Sequence, residues 1–499
     1  MYQPLTQYFK ETLRRHWHNV ILESYSTKEK ISGQSLASFI SSLHSFWCDL
    51  HIDDGDKIAM CIPPGIAWAK LFLATYCSKY VPIALPSDIN LAISAAYHSD
   101  CKILYIQRSN LSTIDIDRFT NLEYIISIED NDILWTPNVN TASIKHHLLS
   151  NISELNIFHK ENSDLSLIIY TSGTSTRLKG VMLSSQNLSS CCFSNYTRFP
   201  YEEGSSILSI LPINHIFGLM YDLLLPICKG MRVVMLDSPP LPEYIVPALE
   251  YAKPSILFGV PVILYNLISE IQHNDSWSLL LSCKMITCGG AGVREEFSKL
   301  LIEEKKLPFY IGYGMSECSP TISVAKPEQY EINSCGMPID CLNLRIDSVD
   351  PLHIPGEIQV KGDSVFLGYY KDEDLTRSVF TSDGWFKTSD IATVSEQGNI
   401  FIQGRMDSQI SSNTGKNIYL EDIERTLCNS PLITDAVVAS YDNKLKAFLV
   451  ANKADDFAIK TFVQELNSNK LCGAYITEVQ YVGRIERTPK GTIKRSRYI

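Results

Sequence analysis

Between residues 35 and 106 the sequence changes its hydrophobic period repeatedly, and that limits the folds open to it. Leu36, Phe39, Ile40, Leu43, Phe46, Trp47 and Leu50 recur at helical spacing. The run Lys57–Ile62 then has strand character. After it, Ile66–Tyr76 predicts a helix, Tyr80–Leu85 a strand, Leu91–His98 a helix and Lys102–Ile106 a strand. Strands joined through helices run mostly parallel, because only a long crossover returns the chain to the same end of a sheet. The pattern resumes after residue 165: Ile256–Ile268 predicts a strand and then a helix, and Lys284–Thr287 another strand. The expected class is α/β, with βα-built sheets packed against helices. Residues 107–163 are polar and mixed and add little.

A chain of 499 residues exceeds one simple core, so at least two domains are expected. Its formal net charge of −11 argues against a general nucleic-acid binder. Any anion site must therefore draw on local positive charge, and Lys179 and the basic tail are the places to look. The 14 cysteines include no Cys-x-x-Cys pair, although Cys191 and Cys192 adjoin. Reduced thiols in a cytoplasmic protein fit this better than zinc or disulfides. The first twenty residues carry Lys10, Glu11, Arg14 and Arg15 without an apolar core, so no secretory signal is expected. The most apolar long stretch, Ile207–Cys228, is interrupted by Pro212, Asn214, His215, Asp222 and Pro226. A transmembrane span is therefore not expected; peripheral membrane contact stays open.

The stretch Tyr170–Gly180 reads YTSGTSTRLKG and follows the apolar run Leu165–Tyr170. Thr171, Ser172, Gly173, Thr174, Ser175 and Thr176 offer backbone N–H groups and hydroxyls, and Lys179 adds an ammonium. Together they form a cradle for phosphate oxygens. The spacing is not that of a Walker loop, and alone such a run reads equally as a surface loop. Its downstream company decides between the two. Leu211–Gly218 reads LPINHIFG, and Cys288–Gly292 reads CGGAG. After them come Tyr313-Gly314-Met315-Ser316-Glu317, Thr388-Ser389-Asp390, Gly404-Arg405 and Lys416-Asn417-Ile418-Tyr419.

In this order the motifs resemble the adenylate-forming superfamily: acyl- and aryl-CoA synthetases, peptide-synthetase adenylation domains and firefly-type luciferases. The likeness runs through nearly the whole chain and is closest in character to AMP-forming acyl-CoA synthetases. It implies a large domain over residues 1–403, a hinge at 404–408 and a small, mobile α+β domain over 409–499. It implies ATP, Mg²⁺ and CoA, or the phosphopantetheine arm of an acyl carrier protein in place of CoA. Residues 171–176 and Lys179 would hold the ATP phosphates. Gly289, Gly290 and Ala291 would pass the adenine, and Tyr313, followed by Gly314, would stack on it. Ser316 would bond the α-phosphate, and Glu317 would hold Mg²⁺ through oxygen. Asp390 would accept the ribose hydroxyls, with Arg405 beside it. His215, Phe217 and Gly218 would line the acid pocket; Asp222 lacks the flanks expected of an amino-acid-pairing carboxylate.

The implied chemistry has two steps. A carboxylate attacks the α-phosphate of ATP, releasing pyrophosphate, and a thiol then takes the acyl group. Apolar character at 207–228 and 256–268 favours a fatty or aryl acid. Thr171, Glu317 and a tail lysine would carry the catalysis. The chain departs from the family pattern at Thr176, Leu178, Ser389 and Ser408, and most at the tail. There Arg487-Thr488-Pro489-Lys490-Gly491-Thr492-Ile493-Lys494-Arg495 puts Thr492 at the usual lysine position. Lys490 stands two residues earlier and is the favoured substitute; Lys494 is the mirror choice. A carrier-protein loader, or an impaired nucleotide- or acyl-binding relative, are the alternatives.

Overall fold

The structure is a computed structural model. It describes residues 2–129, 132–135, 157–172, 178–196, 198–406, 409–411, 417–428, 430–441, 444–469, 475–487, 493 and 495–498. The alternation in the first hundred residues is realised closely. Gly33–Asp49, Ile66–Tyr76 and Ile89–Ser99 are helices, and Lys57–Cys61, Val81–Ala84 and Ile103–Gln107 are strands. Two of the helices begin on side-chain caps: Ser32 accepts from Ser35 N–H, and Asp88 accepts from Asn90 and Leu91 N–H.

Two large sheets carry the fold. In the first, of nine strands, Phe309–Gly314, Met285–Gly289, Ile256–Gly259, Ser206–Ser209, Arg232–Met235 and Val20–Ser24 lie side by side and parallel. Antiparallel strands finish both edges. In the second, of eight strands, Leu165–Ser172, Val81–Ala84, Lys57–Cys61, Ile103–Gln107 and Tyr124–Glu129 are parallel. Leu165–Ser172 turns back antiparallel through Leu178–Ser184. The polar, mixed stretch after residue 107 thus contributes an edge of this sheet.

A third sheet is fully antiparallel: Leu342–Asp347, Gly356–Gly362, Phe386–Val394 and Ile400–Arg405. It is not βα-built, and it supplies Asp390 and Arg405. The turn at Asp383-Gly384 closes a single bridge, Phe380 to Phe386, rather than a two-strand hairpin. Residues from 420 onward form buried clusters of their own, separate from the clusters that hold residues 5–400. The hinge proposed at 404–408 falls between these two groups of clusters; Ser408 and Lys416 lie outside the described residues. No described helix is long and apolar enough to cross a membrane.

Candidate active site

In the nine-stranded sheet the chain leaves Ser206–Ser209 for Arg232–Met235 on one side and continues to Ile256–Gly259 on the other. Strand order reverses there, and the carboxyl ends of such strands open a crevice where ligands bind. Some of the predicted residues stand at these ends: Gly289 and Gly314 close two of the strands, Tyr313 precedes Gly314, and Phe217 packs against Gly289.

Gly289 is the last residue of its strand and pairs in register with Gly312. Gly290 follows at φ +85°, a conformation natural to glycine. Tyr313 is therefore one residue beyond the Gly289 turn on the neighbouring strand. Its hydroxyl donates to Asp390 Oδ2 at 2.6 Å. Arg405 Nη1 lies 3.4 Å from Asp390 Oδ1, and the two residues are direct partners across their strands. Burial pushes the Tyr313 phenol well up, and the Asp390 charge adds to it, so Tyr313 stays a donor. Gly314 is required by packing: a Cβ there would come within 2.0 Å of the Pro320 carbonyl oxygen.

Asp390 sits on an unusual backbone. Ser389 has φ +61°, where the family pattern has glycine. Glu357 Oε1 holds it by accepting from Ser389 N–H at 3.0 Å, and Thr388 Oγ1 accepts from Asp390 N–H at 3.1 Å. Such a conformation costs a β-carbon-bearing residue about 1–2 kcal/mol, so the local hydrogen bonds must hold it in place.

Thr171 and Lys179 are opposite partners on the Leu165–Ser172 and Leu178–Ser184 pair, so their side chains share a face. The Lys179 ammonium lies 5.3 Å over the Tyr369 ring, and the Tyr369 hydroxyl donates to Glu317 Oε1 at 2.8 Å. Tyr369 thus joins the phosphate-loop lysine to the predicted metal ligand. Sequence reading misses it because Gly368–Tyr369 reaches this place only by pairing with the distant strand Leu178–Ser184. Ser316, beside Glu317, has a buried Oγ without a hydrogen-bond partner among the described residues. That orphan hydroxyl and the Glu317 carboxylate suit a phosphate with its magnesium ion. Among the described residues no group of three or more His, Cys, Asp or Glu could hold a metal. One carboxylate plus substrate phosphates is the usual way Mg²⁺ is held. Gly173, Thr174, Ser175, Thr176 and Lys490 lie outside the described residues, as does the side chain of Ser172.

On the acid side, His215 is half-buried and precedes the short helix Ile216–Gly218. Gly218 is held by a close approach, since a Cβ would meet the Pro212 carbonyl oxygen at 2.5 Å. Phe217 backs onto the Gly289 turn, where a Cβ on Gly289 would lie 3.3 Å from its Cζ. Phe217 also meets Tyr221 at 5.7 Å and Phe258 at 6.0 Å between ring centroids, and Tyr221 stacks on Phe258 at 5.0 Å. The Tyr221 hydroxyl is hydrogen-bonded to Thr321 Oγ1.

Asp222 is fully buried in the π-helical turn Leu219–Leu224, and its Oδ2 accepts from Leu211 N–H at 3.0 Å. Pro226, with no N–H to donate, lies just past that turn, and wide turns of this kind recur beside functional sites. Asp222 therefore braces the loop that leads to His215. Burial pushes its carboxyl up to about 8, against hydrogen bonds from Leu211, Ser209 and Ile210 that pull it down. A folded-state pKa above the unfolded value means the native state holds the extra proton between the two. Stability then falls as pH rises from about 4 towards 8. Asp222→Asn is expected to remove that slope, at most about 1.4 kcal/mol per pH unit. Denaturant unfolding of both proteins at pH 5 and pH 8 checks this; an unchanged difference between the two pH values would count against it.

The sequence pattern of the family described as AMP-binding enzyme matches residues 9–370. A 2-succinylbenzoate–CoA ligase of Bacillus cytotoxicus is 32% identical over 279 residues, which span 54% of this chain and about half, 56%, of that protein. A probable CoA ligase of Humulus lupulus is 25% identical over 509 residues, spanning 97% of this chain and 90% of that one. The ATP-bound crystal structure of MatB from Rhodopseudomonas palustris superposes with a TM-score of 0.86 at 20% identity, covering 100% of this chain and 98% of that one, a likeness of fold. The match over most of its length places this chain in the AMP-binding enzyme family, among the adenylate-forming enzymes.

Proposed function

We propose that this chain activates a carboxylic acid with ATP, releasing pyrophosphate, and passes the acyl group to the thiol of CoA. The observation that carries the reading is the convergence at the strand ends. Lys179 and Glu317 are linked through Tyr369, and Asp390 is held between Tyr313 and Arg405. One charged lysine, one oxygen ligand for magnesium and one carboxylate for a ribose diol meet the needs of a bound nucleoside triphosphate. When bound, Mg²⁺ would neutralise charge on the phosphates. The chain's own groups position and polarise; none of them acts as a covalent nucleophile in this reading.

For the acid we favour an aryl or short acid over a long fatty one. Three rings, Phe217, Tyr221 and Phe258, pack together with Phe217 against Gly289, and Tyr221 and Phe258 are almost wholly buried. A long alkyl chain would have to displace them, whereas a flat ring can pack against Phe217. One relative is named a 2-succinylbenzoate–CoA ligase and another a fatty acyl-CoA synthetase, so the ring packing carries the choice. The test is acid-dependent pyrophosphate exchange into ATP, then CoA thioester formation, across aryl, fatty and amino acids. Exchange is expected with aryl or short acids. Phe217→Ala is expected to improve longer acids by about 10- to 200-fold relative to the parent's preference, the range for a single methylene in an apolar pocket. Exchange only with long fatty acids would overturn the acid assignment, and exchange with no acid despite ATP binding would overturn the ligase.

A further inference from the structure

One contact ties the nucleotide side of the site to the segment that carries the basic tail. Arg294 lies two residues past the Gly289–Gly292 turn. Its backbone N–H donates to the Tyr265 hydroxyl at 2.7 Å, and its guanidinium lies 5.1 Å from the Tyr265 ring centroid. Arg294 Nη2 then donates to the Thr434 carbonyl at 2.6 Å, 140 residues away. Thr434 belongs to the strand Ile433–Tyr441 of the C-terminal segment. The next residue, Asp435, accepts from Arg487 Nη2 at 2.7 Å. Arg487 in turn forms an antiparallel bridge with Ile493 and so opens the tail. The positive fields of Arg294 and Arg487 both reach Tyr265 and Cys428, partly offsetting the upward push of burial on those two groups.

We infer that Arg294 is a positioning residue that docks the tail-bearing segment against the nucleotide turn for the adenylate-forming step and is dispensable for the thiol step. The inference rests on the ligase reading above. Among the described residues, the Arg294 guanidinium meets Tyr265 and Thr434 rather than the predicted nucleotide or acid residues. It acts through Thr434 and Asp435 on the orientation of Arg487. Arg294 is also exposed, so its bonds are ones that water can replace. Such a contact biases the docked arrangement without making it permanent.

The experiment compares the parent, Arg294→Ala, Arg294→Lys and Asp435→Asn in three assays. Pyrophosphate exchange reads the first half-reaction, and thioester formation from chemically prepared acyl-adenylate and CoA reads the second. Limited proteolysis across residues 404–416 reads docking in the apo protein, with no substrate present. For Arg294→Ala, kcat of exchange is expected to fall roughly tenfold, the size of one lost charge-assisted hydrogen bond, with KM for ATP nearly unchanged. Thioester formation from the adenylate should hold at the parent's rate, and proteolysis at 404–416 should speed up. Arg294→Lys should recover part of the loss, since one ammonium can donate to one carbonyl, and Asp435→Asn should repeat the split. Equal loss of both half-reactions would overturn the inference by assigning Arg294 a general structural role. Unchanged exchange with unchanged proteolysis would overturn it too. If the parent itself exchanges with no acid, the ligase reading fails, and the proteolysis arm still decides whether Arg294 docks the segment.

Discussion

Lys490→Ala is expected to lower acid-dependent pyrophosphate exchange by about 10²–10³-fold, the loss seen when one preorganised charge at a reacting centre is removed. Thr492 stands where a lysine is usual, and Lys490, two residues earlier, is the proposed source of the charge. Arg487 and Ile493 pair across an antiparallel bridge, and Lys490 is the middle of the five residues between them. Lys494 lies outside the bridge, next to Arg495. Arg495 is bound back onto the small sheet and its helix, donating to Glu421 Oε1 at 3.0 Å, to Glu424 Oε1 at 2.5 Å and to the Val438 carbonyl at 2.5 Å. The role is assigned to Lys490, two residues before Thr492, over Lys494, which adjoins the anchored Arg495. Lys494→Ala should therefore change exchange by no more than a few-fold, the ordinary effect of losing an exposed charge. ATP binding, followed by quenching or calorimetry, should survive Lys490→Ala, because the loss falls on the transition state rather than on ground-state binding. The reverse pattern would move the role to Lys494. Indifference to both substitutions in an active enzyme would show that the tail lysines are not used.

Much of this is readable from the sequence, and the boundary between legible and hidden is a physical one. Periodicity is local, so the helix Ile66–Tyr76 is legible to the residue, and the strands predicted for both parallel sheets lie within a residue or two of those observed. Motif order likewise points to Tyr313, Glu317 and Asp390. What stays hidden depends on partners far away in the chain. Tyr369 enters the site through a two-residue strand whose partner is almost two hundred residues earlier. The antiparallel sheet of residues 342–405 carries both Asp390 and Arg405, yet its existence rests on pairings rather than on composition. Arg294 has no motif at all. Ser389 shows the opposite case: the departure from glycine is visible in the sequence, and its consequence, a positive φ held by Glu357, is not. Asp222 has weak flanks as an amino-acid-pairing carboxylate, and its bond to Leu211 N–H is not visible in them.

Asp390→Asn is the second large expected effect, and here the loss should fall mainly on ATP. A carboxylate can accept both hydroxyls of a ribose diol, and an amide presents only one oxygen. Hydrogen bonds to a charged acceptor contribute about 1.5–3 kcal/mol each, so losing one should raise KM for ATP by about 10- to 150-fold. Two further terms act in the same direction. Arg405, 3.4 Å from Asp390 Oδ1, loses its counter-charge in a half-buried place. The Tyr313 hydroxyl, 2.6 Å from Oδ2, loses a charged acceptor. Tyr313→Phe separates these contributions, since it keeps the ring for stacking and removes only the hydroxyl. Alone it should cost less than about tenfold in KM. Combined with Asp390→Asn it should add less than its single effect, because both substitutions break the same bond. A fully additive pair would mean that Tyr313 and Asp390 act on the nucleotide independently, and the 2.6 Å bond between them would then be incidental to binding. An Asp390→Asn enzyme with unaltered KM for ATP would remove Asp390 from the nucleotide site. The convergence of Tyr313, Asp390 and Arg405 would then have to be explained as a brace between the Phe309–Gly314 strand and the antiparallel sheet.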